Sequence, residues 1–337
     1  MIWLDVTNSG SARHRSGLTR VTARLGEELG PACRPATGTR PPVAAGDWYL
    51  TAELFSERER PGITEFLAGR PCRLAAIFHD AIPLRWPAIT WPQSVARHPE
   101  YLKLLARFER VWAVSAASRE DLLGYWRWLG IEAAPPVEVL ALGADATAGP
   151  RPAPAGEAPG PPALLCVGIL EPRKNQALLL EVCEQLWAEG LEFELHLVGR
   201  VNPHFGAPLA ARIRELRRRR PALRYHGAAG DAAVEALYRR ARASALPTIA
   251  EGCGLPLLES LWHGVPSLCS DLAVLREQAG GGCVPVPVGD RAAWKTALRR
   301  VLTDEPWRRQ LAAAARDRPL PSWADTAAAL RRAMNGS

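Results

Sequence analysis

The sequence of 337 residues contains no apolar run long enough to cross a bilayer. A membrane-spanning helix needs about 18 to 20 consecutive apolar residues, and every apolar run here is shorter. The first ten residues, MIWLDVTNSG, also lack the basic start and apolar core of a secretory signal. We therefore expect a cytoplasmic protein, with peripheral attachment to the inner face of the membrane as the alternative.

The sequence has few cysteines, and their spacing is irregular. There are seven, an odd number, with neither Cys-x-x-Cys pairs nor histidines at zinc-binding spacing. We therefore expect no disulfide framework and no zinc site, and reduced, buried thiols are the simpler interpretation.

The positive charge is not interleaved with the aromatic residues that accompany nucleic-acid binding. Lys and Arg number 17 against 16 Asp and Glu before position 150, and 25 against 19 after it. Much of this excess is the run RIRELRRRR, residues 212–220. Because Ile213 and Leu216 have helical spacing, the run predicts a helix with a solvated basic face, and an anionic membrane surface is its alternative partner. No nucleic-acid partner is expected.

What the sequence does have is enough apolar residues, 47%, for two domain cores. Residues 148–162, AGPRPAPAGEAPGPP, are nearly all Ala, Pro and Gly, and this composition is typical of an extended linker. We therefore expect one domain over residues 1–150 and a second over residues 151–319, with a helix at about 320–337 that packs back on the first.

Short apolar runs alternate with amphipathic stretches on both sides of this linker. Continuous apolar strands separated by helices indicate parallel sheets covered on both faces. The strands are predicted at residues 2–6, 47–51, 74–80, 110–115 and 137–142, and then at 163–169, 193–199, 223–227, 244–247, 266–270 and 284–289. The pattern predicts an α/β protein with two doubly wound, Rossmann-like domains facing a cleft, and ligands bind such folds at the carboxyl ends of the strands.

The stretch EGCGLPLLES, residues 251–260, follows one of these strands. Pro256 suits the first turn of a helix, and the amides of Cys253, Gly254 and Leu255 are then donors at the positive end of the helix dipole. Such a position binds phosphate, and Glu259, expected in the first turn, could accept hydrogen bonds from sugar hydroxyls, as could Glu251 before the turn. An ordinary tight turn, with Glu259 complementing the helix dipole, explains the stretch equally well.

Other strands also end in polar residues. Arg173 and Lys174 follow the strand ALLCVGI and could stabilise a departing diphosphate. His79 and Asp80 end the strand LAAIFHD, and Gly17 opens a helix after the first strand. Each feature alone has an ordinary structural explanation, but together they favour a ligand site.

The sequence resembles the GT4 family of retaining glycosyltransferases, which has the two-domain GT-B fold. The resemblance covers nearly the whole chain and rests on these segments: GLTRV (17–21), FHDAIPL (78–84), VWAVSAASREDL (111–122), VGILEPRKNQ (167–176), LVG (197–199), HGAAGDAAVEALYRRARA (226–243), PTIAEGCGLPLLESLWHGVPSLCSD (247–271) and SWADTA (322–327). The motif with two glutamates, glycines and a trailing HGVP is the most specific of them.

The resemblance implies a role for each matching residue. Arg173 and Lys174 would neutralise the leaving diphosphate, His79 would lie against the transferred sugar, and Glu251 would contact that sugar. Glu259 would hold the donor ribose. The remaining donor contacts would come from Gly17, Gly199, Arg200, Gly252, Cys253, Gly254 and Leu255.

The chain departs from the family pattern at two positions. Ser16 precedes Gly17 where many members have a glycine pair, and Cys253 stands where an aromatic residue is common. No Asp-x-Asp motif follows a strand, so the leaving group would be assisted by cations and amides, without a metal or a resident cofactor. Asp80 would orient His79 or its loop.

The pairing of GLTRV with HDAIPL resembles a branch of bacterial enzymes, often mannosyltransferases using GDP-mannose, that build surface polysaccharides. UDP-hexose and dTDP-rhamnose are alternative donors. The acceptor, a glycan or lipid-linked saccharide, would meet the first domain, where Asp80, Trp86 and Trp91 are candidates, although the tryptophans could simply pack. The alternative functions are a sugar-nucleotide epimerase of GT-B fold and a non-catalytic nucleotide-sugar-binding protein.

Overall fold

The computed structural model describes residues 1–10, 17–39, 41–147, 149–153 and 160–336. The chain divides into two compact units. Unit 1 comprises Met1–Gly143 and Pro321–Ser337, and unit 2 comprises Ala144–Leu320.

Unit 1 is built on a parallel six-stranded sheet in the order β2-β1-β3-β4-β5-β6. The strands are β1 (Ile2–Asp5), β2 (Cys33–Ala36), β3 (Trp48–Thr51), β4 (Arg73–Phe78), β5 (Arg110–Ala113) and β6 (Val137–Val139). The apolar run of β4 is fully buried, as expected for a strand covered on both faces. The short β2, which contains Pro35, lies at the edge of the sheet, where proline is tolerated.

In the described part of the unit the helices between these strands are α1 (Gly17–Leu29), α2 (Ile63–Gly69), α3 (Ile82–Arg85), α4 (Pro92–Leu105) and α5 (Ala116–Trp128). The helix α5 begins at Ala116 because the Ser115 hydroxyl caps it by accepting from the Ser118 amide. The helix α4 begins with Pro92 in its first turn and contains Pro99.

Unit 2 has a second parallel six-stranded sheet in the order β12-β11-β10-β7-β8-β9. The strands are β7 (Ala163–Val167), β8 (Glu194–Val198), β9 (Leu223–Tyr225), β10 (Ala243–Leu246), β11 (Ser267–Ser270) and β12 (Cys283–Val286). The helices are α6 (Gln176–Ala188), α7 (Ala207–Arg219), α8 (Asp231–Arg240), α9 (Leu255–Trp262), α10 (Ala273–Gln278), α11 (Arg291–Thr303) and α12 (Glu305–Asp317). Residues 212–219 of the arginine run form the second part of α7, where Ile213 and Leu216 are buried and Arg214, Arg217, Arg218 and Arg219 are exposed.

The sheet of unit 2 has a topological switch point. The chain runs outward from β7 through β8 to β9 and then returns to place β10 on the other side of β7. This is the strand order of doubly wound nucleotide-binding domains, which bind ligands outside the carboxyl ends of the two strands flanking the switch point.

The final helix, α13 (Trp323–Asn335), belongs to unit 1. Its Met334 carbonyl accepts from the Trp48 indole at 3.1 Å, and its Thr326 hydroxyl donates to the Ala141 carbonyl at 2.9 Å. A capping box between Ser322 and Asp325 begins the helix.

The predicted linker has no helix or strand in its described residues, 149–153 and 160–162, and its other residues lie outside the description. Arg151 fastens it to unit 2 by donating to the carbonyls of Leu261, Trp262, Ala315, Arg316 and Arg318. No helix in the described part of the chain is long and apolar enough to span a membrane.

Candidate functional site

Lys174, Arg173 and Glu251 lie together at the switch point of unit 2. The Lys174 ammonium is 2.5 Å from Oε1 of Glu251, and the Arg173 guanidinium is 3.3 Å from Oε2. The two cations follow β7 and the glutamate follows β10. Residues 77 apart in sequence thus meet where the fold favours a ligand.

Backbone contacts position the two cations. They lie in a short 3₁₀ helix, Pro172–Lys174, that ends at Asn175 in the left-handed conformation. The Arg173 carbonyl accepts from the Ile249 amide at 2.7 Å and from the Thr248 hydroxyl at 3.0 Å. These bonds join the loop after β7 to the loop after β10, so neither moves independently of the other.

Charges balance within this cluster. Glu171 accepts two contacts from the Arg173 guanidinium, at 3.0 and 2.8 Å, so two carboxylates face two cations. Burial acts to raise the pKa of the Glu251 carboxyl, but the charges of Lys174 and Arg173 outweigh it and lower the pKa below its usual value. Glu251 is therefore ionised at neutral pH.

The turn at residues 252–254 begins α9 next to this cluster. Gly254 is the N-cap in the left-handed conformation, with φ of 83°, and a Cβ there would lie 2.5 Å from the Leu275 side chain. Within the described residues, the amides of Cys253, Gly254 and Leu255 have no hydrogen-bond partner. They are therefore available to an anion at the helix start.

The buried thiol of Cys253 is not an anion itself. Burial raises its pKa to about 12, so the neutral thiol persists throughout the physiological range. Cys253 can therefore bind an anion through its backbone amide, but it does not supply a thiolate.

Glu259 does not lie in the first turn of α9, as the sequence led us to expect. The helix begins at Leu255, so residues 255–258 form the first turn and Glu259 opens the second. Pro256 does occupy the first turn, as predicted. Glu259 is 3% exposed, and the Tyr238 hydroxyl donates to its Oε2 at 3.2 Å.

Gly199 and Arg200 follow β8. A Cβ on Gly199 would lie 2.0 Å from the carbonyl oxygen of Gly168, so close packing of two loops requires the glycine. Arg200 contributes its carbonyl to this packing by accepting from the Leu170 amide at 2.9 Å.

In unit 1, His79 and Asp80 follow β4. The His79 Nε2 lies 2.8 Å from the Ala52 carbonyl, which fixes the proton on Nε2. Burial lowers the pKa of His79, and the Ala52 carbonyl and Asp80 carboxylate oppose this effect only in part. Asp80 accepts from the Ile82 amide at 3.0 Å, so it orients the loop.

The other candidates of unit 1 lie at its surface. Trp86 and Trp91 are 42% and 46% exposed, so they do not have the core-packing role that was the alternative for them. Gly17 is the exposed first residue of α1. Ser16 lies outside the described residues.

The sequence did not identify three residues that hold a buried network at the carboxyl ends of β1 and β3. One guanidinium nitrogen of Arg60 lies 2.5 Å from Oδ2 of Asp5, and another lies 2.9 Å from Oε2 of Glu53. Glu53 could have been found by the same rule as Arg173, since it comes two residues after a predicted strand. Arg60 carries no such signal.

A comparison with known protein families gives a match within unit 2. Residues 152–318 match the family described as glycosyl transferases group 1. Unit 2 is therefore a group 1 glycosyltransferase domain. The family resemblance expected from the sequence is confirmed.

Two curated relatives extend this similarity. A serotype-specific mannosyltransferase of Escherichia coli is 30% identical over 245 residues, which is 68% of this chain and 29% of the relative. The O-antigen chain mannosyltransferase B of Escherichia coli is 32% identical over 145 residues, 43% of this chain and 38% of the relative. The chain thus spans well under half the length of these relatives.

The fold is also that of a solved glycosyltransferase. WaaG, described as a glycosyltransferase involved in lipopolysaccharide biosynthesis, superposes with a TM-score of 0.68 at 15% identity, with 100% of each chain covered. The predicted GT-B fold of two Rossmann-like domains is confirmed.

Proposed function

We propose that this glycosyltransferase moves a hexose, with retention of its anomeric configuration, from a nucleotide sugar to a glycan or lipid-linked saccharide in surface polysaccharide biosynthesis. The observation that carries the proposal is the meeting of Lys174, Arg173 and Glu251 beside the three available amides at the switch point of unit 2. Two cations and a helix start suit a diphosphate, and a carboxylate suits a sugar hydroxyl.

The chemistry follows from these groups. The bond between the anomeric carbon and the diphosphate oxygen breaks, and Lys174, Arg173 and the amides of the turn stabilise the charge that develops on that oxygen. The acceptor hydroxyl attacks the anomeric carbon from the same face, and its proton passes to the departing diphosphate. No metal or resident cofactor takes part in this scheme.

The other residues act on the donor. Glu259 holds the ribose, and Glu251 contacts the transferred sugar. His79, neutral because of its lowered pKa, lies against that sugar with its Nε2 proton committed to Ala52. Gly17, Gly199, Arg200 and Gly252 complete the donor contacts.

Mannose from GDP-mannose is the donor that we propose. The names of the two curated relatives, both mannosyltransferases, support this choice. UDP-hexose and dTDP-rhamnose are the alternatives that an experiment must compare.

A thermal-shift screen with GDP-mannose, UDP-glucose and dTDP-rhamnose tests the donor. A ligand at one hundred times its Kd stabilises the folded state by about 2.7 kcal/mol, so the true donor gives the largest rise in Tm. Glu259→Gln should remove the rise, whereas Glu215→Gln, at an exposed position of α7, should keep it. Absence of a rise with every donor would contradict the proposal.

A product assay separates transfer from the other functions. Transfer gives an α-linked product from an α-linked donor only when a saccharide acceptor is present, and it should continue in EDTA. Conversion of the nucleotide sugar without acceptor would indicate an epimerase. Binding without any turnover, across a panel of acceptors, would indicate a non-catalytic binding protein.

A further inference from the structure

Glu171 and Asn202 form a side-chain hydrogen bond between two loops at the switch point of unit 2. Glu171 follows β7, and Asn202 lies in the loop after β8, residues 199–206 (the β8 loop). The Asn202 Nδ2 donates to Oε2 of Glu171 at 2.9 Å. The other oxygen, Oε1, accepts from Nε of Arg173 at 3.0 Å, and a terminal guanidinium nitrogen lies 2.8 Å from it. One carboxylate therefore joins the β8 loop to a cation of the candidate site.

The side chain of Asn202 has a fixed orientation. Its Oδ1 accepts from the amides of His204 and Phe205 at 2.9 and 3.2 Å, so its Nδ2 faces Glu171. Asn202 is 7% exposed, and a Cβ on Gly206 would lie 2.8 Å from its amide nitrogen, so the β8 loop is closely packed. Rotation of the Asn202 side chain would break both hydrogen bonds to the backbone.

Glu171 in turn fixes the plane of the Arg173 guanidinium. The terminal nitrogen that does not face Glu171 donates to the Ala250 carbonyl at 2.9 Å and to Oε2 of Glu251 at 3.3 Å. The planar group is thus held along two edges. Because both oxygens of Glu171 are engaged, its carboxylate holds one position, which a partly exposed ion pair alone would not ensure.

The β8 loop also has backbone hydrogen bonds that do not depend on the Glu171 side chain. The Leu170 amide donates to the Arg200 carbonyl at 2.9 Å, and the Asn202 amide donates to the Leu170 carbonyl at 3.1 Å. The Gly206 amide donates to the Asn202 carbonyl at 2.8 Å. We therefore expect the loop to keep its fold when the side-chain bond is removed, and the orientation of Arg173 to change.

We infer that Glu171 and Asn202 are positioning residues for the transfer reaction, because their hydrogen bond holds Arg173 in the orientation from which its charge acts on the leaving diphosphate. The inference rests on the proposed function, in which Gly199 and Arg200 of the β8 loop contact the donor. The loop that contacts the donor is thereby connected to the cation that stabilises the departing charge. A charge held in place beforehand needs no reorganisation in the transition state, so the bond acts on kcat.

An exchange of donor and acceptor tests this hydrogen bond in the full chain. Glu171→Gln places an amide group opposite the Asn202 amide group, and Asn202→Asp places a carboxylate opposite Glu171. Each single variant should lower kcat at least about tenfold. In the double variant the amide at position 171 can donate to the carboxylate at position 202, which restores the bond in the reverse direction with the same total charge. Its kcat should return to within about threefold of the natural value.

The KM of the nucleotide sugar separates positioning from general damage to the site. Glu171→Gln removes a negative charge beside two cations, so their attraction for a diphosphate stays at least as strong and KM should not rise. Glu192→Gln, at an exposed position before β8, makes the same change of charge and should keep both kcat and KM. The inference is overturned if Glu171→Gln keeps the natural kcat, or if the double variant is no faster than the slower single variant.

Transfer by the natural chain separates this inference from the proposed function. If the natural chain transfers a sugar and the single variants are equally fast, only the positioning role fails. If the natural chain binds a nucleotide sugar without transferring it, the proposed function fails, and urea denaturation of the same four chains still tests the hydrogen bond. The two substitutions should then be coupled at least about tenfold in the unfolding equilibrium, and additive effects would overturn the bond.

Discussion

Of the two cations in the site, Lys174 is the one whose contacts best suit it to bind a diphosphate. Its ammonium lies 2.5 Å from Oε1 of Glu251. Its carbon chain passes beside Gly168, which lies in the loop after β7 and has a φ of 158°. Arg173, in contrast, is divided between Glu171, Glu251 and the Ala250 carbonyl. Lys174 is therefore the group that a diphosphate can recruit with the fewest bonds broken.

Lys174→Met should lower kcat by about 10²- to 10³-fold, because a preorganised charge that stabilises the leaving group acts mainly in the transition state. Donor affinity, measured by calorimetry, should fall far less than kcat. The methionine keeps the carbon chain, so packing is retained. Lys295→Met, which removes a partly exposed ion pair with Glu189, is the matched control. Equal losses in kcat and affinity would indicate uniform binding instead.

Glu259 gives a prediction about the ribose. A carboxylate that holds the ribose hydroxyls should distinguish the preferred nucleoside diphosphate from its 2′,3′-dideoxy analogue. In the natural chain the dideoxy analogue should bind at least about tenfold more weakly, and in Glu259→Gln this difference should shrink. Tyr238→Phe, which removes the hydroxyl that orients Glu259, should have a smaller effect in the same direction. A difference that persists fully in Glu259→Gln would exclude the ribose role.

At the scale of elements, α9 joins the site to the core of unit 2. His263 ends the helix and donates from Nδ1 to the Glu259 carbonyl at 2.8 Å, and its ring stacks on Tyr238 at 5.0 Å. Burial lowers the pKa of His263 to about 4, although the Glu235 carboxylate opposes this effect. The helix that carries Glu259 therefore depends on an uncharged histidine.

This dependence predicts a loss of stability in acid. The folded-state pKa lies below the unfolded value of about 6.5, so protonation favours the unfolded chain. Stability from this group is complete above pH 6.5 and is lost as the pH falls toward 4. Between pH 7 and pH 5 the loss is about 2 kcal/mol.

Urea denaturation at pH 7 and pH 5 measures the loss. In His263→Asn, whose amide can still donate to the Glu259 carbonyl, the loss should be smaller by about that amount. His204→Asn, at an exposed position of the same unit, should behave as the natural chain does. An unchanged pH dependence in His263→Asn would contradict the role of this histidine.

Elements with a strong apolar signal could be predicted, and those defined by tertiary packing could not. The strand at residues 74–80 was recognised as a strand because its apolar run is continuous, and it is β4 in the structure. By contrast, β2 contains a proline and pairs only at the sheet edge, and α2 is a short helix that nothing in the local pattern requires.

The site, too, could be predicted from the sequence only in part. Motifs gave the residue types at the strand ends, but the contact of Lys174 with Glu251 and that of Tyr238 with Glu259 depend on strand order. A single sequence does not state that order. The position of Glu259 in the second turn depends on where the left-handed Gly254 allows the helix to begin.

At the scale of the whole molecule, the chain leaves unit 1 at Gly143 and returns to it at Pro321. The departing and returning segments touch. A Cβ on Gly143 would lie 2.3 Å from the amide nitrogen of Trp323 and 2.7 Å from its Cα. Trp323 is 1% exposed at the start of α13, so the glycine is what lets the last helix dock on unit 1.

Gly143→Ala should therefore destabilise unit 1 by about 2 to 3 kcal/mol or more, because backbone, unlike a flexible side chain, cannot move aside cheaply. The control is Gly124→Ala in the middle of α5, where the new methyl group meets only the flexible end of Arg127 and should stabilise the helix by about 0.5 to 1 kcal/mol. Hydrogen exchange can follow the two units separately. Protection in β1 and β3 should fall in Gly143→Ala, while β7 and β10 stay protected. Equal loss in both units, or none, would mean that α13 is not part of the cooperative fold of unit 1.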